Sequence, residues 1–132
     1  MKSFFLLLLS FLELQATQVK VAMLGDSITF GSGATPIQAN RYATKLGKFL
    51  GGDYLVKTFA ASSLCLLQKA DRPFLKTTHF TEALSFKPDI AVITLGTNDT
   101  CQNDKRKNWE HQNDLTSNCL LYTSDAADDT LC

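Results

Sequence analysis

The sequence predicts an α/β fold built on a parallel sheet. Three observations carry this reading. Residues 19–24 (V-K-V-A-M-L), 54–59 (Y-L-V-K-T-F) and 90–95 (I-A-V-I-T-L) read as strands: the first ends at Gly25, the second follows Gly51-Gly52, and the third follows Pro88-Asp89 and ends at Gly96. The first and third are almost continuously apolar, as expected of parallel strands covered on both faces. Stretches of helical spacing lie between them, which gives the order β-α-β-α-β and right-handed crossovers.

The helices follow from their apolar faces. Over residues 40–50, Tyr42, Ala43, Leu46, Phe49 and Leu50 fall on one side of a helix. Asn40 is the expected N-cap and Gly51 the expected stop. A weaker helix is expected over residues 78–86, with Phe80, Ala83 and Leu84 on one side and Pro88 barring its extension. In such sheets ligands gather beyond the carboxyl ends of the strands. The segments to watch are therefore 25–33, 60–73 and 96–109.

Both ends of the chain are set apart from the fold. Residues 1–16 read as a signal peptide, with Lys2 as the positive start and an apolar core from Phe4 to Leu12 broken only by Ser10. That core is too short to span a bilayer. The expectation is an exported, secreted or periplasmic protein with no membrane span after processing. Residues 119–132 begin C-L-L-Y-T-S-D-A-A-D-D, a string that resembles the translated read-through of a transposon-type library adapter. It lacks a hydrophobic period and is expected to be non-native. Residues 17–118 are then the natural part of one domain.

Composition excludes more than it selects. The 132 residues carry no formal net charge, and residues 17–118 hold 12 basic against 9 acidic side chains. That balance argues for no nucleic-acid partner. Only Cys65 and Cys101 lie within residues 17–118, so no disulfide framework is expected, whether or not these two pair. No spaced Cys/His cluster suggests a metal. Glycines 25, 31 and 33 fit neither G-x-G-x-x-G nor G-x-x-x-x-G-K-[ST], which speaks against a nucleotide loop.

Two blocks carry chemistry. After the first strand comes Gly25-Asp26-Ser27-Ile28-Thr29. A serine at a strand-to-helix turn exposes its hydroxyl beside free backbone N–H groups, as a nucleophile requires. An N-capping serine is the plainer reading of such a position. After the third strand comes Gly96-Thr97-Asn98-Asp99. An Asn there can donate its side-chain N–H to the same oxyanion, and a simple turn is the alternative.

Taken together, G-D-S-I-T and G-T-N-D resemble the SGNH/GDSL hydrolase family over residues 19–115. The chain looks most like the secreted bacterial branch that includes carbohydrate O-acetylesterases, and the run Asn108-Trp109-Glu110-His111 is similar to that branch. The resemblance implies a three-layer, flavodoxin-like sheet with strand order 2-1-3-4-5, of which this chain holds the first three strands. It implies Ser27 as nucleophile and an oxyanion hole from Ser27 N–H, Ser63 N–H and Asn98. Gly25, Asp26, Gly96 and Asp99 support these. It implies a small-molecule or glycan ester as substrate and no cofactor. Where the family usually reads N-x-G-x-x-G, this chain reads Thr58-Phe59-Ala60-Ala61-Ser62-Ser63, so Ser63 stands in a glycine position. The family's D-x-x-H is absent, and the only histidines are His79 and His111, neither of which is expected to serve Ser27.

The resulting expectation is the N-terminal part of a serine esterase acting on carboxylic, notably acetyl, esters. Lacking its base, this stretch is expected to turn over little or nothing, and to leave the third strand as a sticky apolar edge. The alternative is a non-catalytic, carbohydrate-binding or degenerate protein of the same fold.

Overall fold

The computed structural model describes residues 17–103 and 105–114. The expected signal peptide and the expected non-native tail both lie outside the described residues. The main sheet contains β1 (Val19–Gly25), β2 (Tyr54–Ala60) and β3 (Ile90–Thr94), all parallel, in the order β2-β1-β3. Between them run α1 (Ser27–Phe30), α2 (Ile37–Asn40), α3 (Tyr42–Leu50) and α4 (Thr78–Phe86). A two-residue hairpin, β4 (Gln102–Asn103) and β5 (Arg106–Lys107), follows the third strand.

The period of two in β1 divides its side chains between two layers. Val21 and Met23 face α3, where they pack with Ala43, Leu46, Val56 and Val92. Ala22 and Leu24 face the other way, into a cluster with Phe59, Phe74, Phe80, Ala83 and Phe86. The aromatic rings there meet tilted or edge-on, with Phe59 and Phe86 centroids 5.6 Å apart and Phe74 and Phe80 6.0 Å apart. Phe74 is fully buried, and its burial alone contributes roughly 2 kcal/mol. This is a three-layer α/β/α arrangement, as expected.

Two expectations need correction. Asn40 does not cap α3: it ends α2, and its side-chain amide donates to Thr35 O at 2.7 Å, so Arg41 takes the cap position. Leu84 does not face the core and is 60% exposed. On α4, Phe80 and Ala83 already turn inward, and Phe86 completes that face at three-residue spacing, so residue 84 rotates outward. The third strand is an edge with exposed apolar side chains, as expected: among the described residues β3 pairs only with β1, and Ile90 is 45% exposed. No helix among the described residues is long and apolar enough to cross a membrane.

Strand register aligns the three carboxyl ends. Gly25 pairs with Ala60 on one side and Thr94 on the other, so all three strands end on one row. The three segments singled out from the sequence therefore leave the sheet side by side.

Candidate active site

The first segment is built around a close approach. A Cβ on Gly25 would overlap the Thr29 side chain and stand 2.7 Å from Thr94 Oγ1, so only glycine fits. Thr29 is fully buried, and its hydroxyl lies against Tyr42 Oη at 2.9 Å and against Thr94 Oγ1. Thr94 in turn donates to Leu24 O at 3.2 Å. Asp26 is also buried. Its Oδ1 accepts the Ile28 N–H at 2.9 Å and so caps α1. Asp26, and not Ser27, is thus the N-cap, which removes the plainer reading of the serine. Ser27 is half-buried, and among the described residues neither its hydroxyl nor its N–H has a hydrogen-bond partner.

The second segment contains the departure from the family pattern. Ser63 has φ +65°, in the left-handed region where glycine is at ease and serine is not. Its N–H has no partner among the described residues, while its carbonyl accepts from Arg106 Nη2 at 3.4 Å. The loop beyond it folds back on itself, with Cys65 N donating to Arg72 O and Phe74 N to Cys65 O, both at 2.9 Å. Since the Ser63 side chain makes no hydrogen bond among the described residues, Ser63→Gly relieves the backbone, and only glycine's greater freedom in the unfolded chain opposes the gain. It is expected to stabilise the protein by about 0.5–1 kcal/mol, read as a higher urea midpoint at unchanged slope.

The third segment holds the other two in place. Gly96 has φ +115°, which turns the chain sharply out of β3. Asp99 is buried, and its carboxylate accepts the N–H groups of Leu67 at 2.6 Å and Leu66 at 2.9 Å, tying the second segment to the third. The Asn98 side chain donates Nδ2–H to Leu64 O at 3.1 Å and reaches Asp26 Oδ2 at 3.5 Å. Asn98 is therefore bonded to the chain neighbours of both Ser27 and Ser63, Asp26 and Leu64, and Gly25, Asp26, Gly96 and Asp99 shape the turns that carry the three.

Sequence reasoning missed the group behind Asn98. Arg106 on β5 forks onto Asp71, with Nε to Oδ2 at 2.7 Å and Nη2 to Oδ1 at 3.1 Å. Asn108 is fully buried and exchanges two bonds with Asp71, Nδ2 to Oδ1 and Asp71 N to Asn108 Oδ1, each 2.8 Å. Its Nδ2 also reaches Asn98 O at 2.9 Å. The Arg106 guanidinium holds the Asp71 carboxyl down at about 2, helped by Asn108 and opposed by burial. Cys65 sits beside them as a buried thiol pushed up to about 12, first by burial and then by the Asp99 charge. Cys65 and Cys101 are both free thiols. No spacing signal announced this group, because Asp71 and Arg106 are far apart in sequence and Arg106 lies in a run of charges.

Neither histidine reaches Ser27. His79 on α4 faces Glu82, with Nδ1 3.8 Å from Oε2. His111 follows Asn108 in a 3-10 segment and makes no hydrogen bond to Ser27.

The comparisons with known proteins point one way. The model of the GDSL-like lipase/acylhydrolase family matches residues 23–123. An acetylxylan esterase of Xylanibacter ruminicola is 40% identical over 93 residues, which cover 70% of this chain and 18% of that protein. The chain thus spans under a fifth of the length of the curated relative it matches. No solved structure matches.

Proposed function

Because this chain belongs to the GDSL-like lipase/acylhydrolase family, we propose that it forms the nucleophile and oxyanion end of an exported serine esterase that removes acetyl groups from a carbohydrate. One observation carries the reading. The Ser27 hydroxyl and two N–H groups, those of Ser27 and Ser63, have no partner among the described residues, and the Asn98 amide stands in the same cluster. Unengaged donors beside an unengaged hydroxyl suit a tetrahedral oxyanion.

In the proposed reaction, Ser27 Oγ attacks the acyl carbon while its proton passes to a histidine outside the described residues. The carbonyl π pair moves onto oxygen, and that charge is received by Ser27 N–H, Ser63 N–H and the Asn98 Nδ2–H that exchanges its long contact to Asp26 Oδ2 for the substrate oxygen. The intermediate collapses, the histidine returns the proton to the departing alcohol, and water then hydrolyses the acyl-serine by the same route. The acetyl-carbohydrate assignment takes its support from the acetylxylan esterase relative. Export rests on the leader-like residues 1–16.

The test uses the full reading frame, recovered by long-read sequencing past the codon for Asn118. The protein made from it is treated with a fluorophosphonate and assayed on acetylated xylan. The expected result is a single adduct on the Ser27 peptide together with acetate release. The lack of a base at Ser27 among the described residues favours a second reading, a non-catalytic glycan binder. Retention of xylan with neither adduct nor acetate selects that reading.

A further inference from the structure

We propose that Arg106 is a positioning residue for the oxyanion donors, acting through Asn98 and Ser63; this rests on the esterase reading above. An Asn side chain has two orientations that exchange its oxygen and nitrogen. Here the surroundings allow only one. Arg106 can only donate, and its Nη1 stands 3.5 Å from Asn98 Oδ1. Leu64 O can only accept, and it stands 3.1 Å from Asn98 Nδ2. Reversing the amide would set two donors face to face on one side and two acceptors on the other. With Oδ1 held toward Arg106, the second Nδ2 hydrogen is turned to Asp26, the chain neighbour of Ser27, with Nδ2 3.5 Å from Asp26 Oδ2. A guanidinium at Oδ1 also polarises the amide and makes its N–H a stronger donor.

The same guanidinium reaches the second segment. Nη2 stands 3.4 Å from Ser63 O, at the residue whose φ of +65° a serine disfavours. Fixing that carbonyl holds the turn from which the Ser63 N–H projects. Arg106 is itself fixed by its fork onto Asp71, which Asn108 anchors, and Asn108 closes the ring on Asn98 O. The planar fork explains why lysine is a poor substitute: one ammonium cannot serve Asp71, Asn98 and Ser63 at their separate angles.

The experiment is a double-mutant cycle in the full-length protein, with kcat and KM measured on an aryl acetate and thermal midpoints recorded alongside. Arg106→Gln is expected to lower kcat by about 30- to 100-fold with KM within about 2-fold, as for loss of a preorganised donor. In the Asn98→Ala background the same change is expected to cost less than about 5-fold, because the amide it orients is gone and only its weaker hold on Ser63 O remains. Arg106→Lys, which keeps the charge, is expected to recover thermal stability but not kcat, and it replaces the Gln variant if that one does not fold. Equal losses in both backgrounds, or full rescue of kcat by Lys, overturn the proposal. Ser27→Ala runs in parallel. If it stays active, the esterase reading at Ser27 has failed; if it is dead while Arg106→Gln turns over normally, only the role of Arg106 has.

Discussion

Ser27→Ala is expected to lower acetyl-ester hydrolysis by the full-length protein on the order of a million-fold, while leaving its unfolding midpoint in place. The rate loss follows from removing the atom that attacks. The preserved stability follows from the structure: the Ser27 hydroxyl has no hydrogen-bond partner among the described residues, and α1 is capped by Asp26. Each buried bond in that turn therefore survives the substitution. A large fall in both rate and midpoint would mean that the hydroxyl serves the fold. An unchanged rate would place the nucleophile elsewhere. The measurement is steady-state hydrolysis with thermal unfolding of the same preparation.

Gly25→Ala is expected to be the most damaging single-carbon change, costing about 3 kcal/mol or more, at the upper end for overpacking. The added methyl would overlap the Thr29 side chain, which is fully buried and cannot turn away without leaving Tyr42 and Thr94. Thr94 Oγ1 closes the other side at 2.7 Å. Relief requires β1 to shift against β3, which moves Asp26 and Ser27 relative to Asn98. Stability and activity should fall together, and chemical denaturation with a parallel activity assay reads both. A variant with wild-type stability would show that this turn has slack that the packing denies.

Much of the fold is legible in the sequence because it is local. Strand runs announce themselves by continuous apolar character, and β1, β2 and β3 lie within a residue of where the pattern puts them. The Gly51 stop and the residue 78–86 helix likewise depend on near neighbours. Pattern reading fails where two near neighbours compete for one role and packing decides between them. Asn40 is drawn into a bond with Thr35, and Leu84 loses its place to Phe86. The doubt about Ser63 is readable as a conditional statement, since serine is a poor choice if φ is positive. Only the folded loop shows that it is.

Short windows of backbone preference and motif spacing were enough to fix the α/β order, the family, and the residue types at the two signature turns. Long-range packing decided the rest. It set Gly25, Ala60 and Thr94 on one row, so that three separate segments share an edge. It also brought Arg106 and Asp71 to the back of Asn98, an ion pair spanning 35 residues. Such contacts form only when remote parts of the chain are packed together, and one-dimensional spacing holds no trace of them.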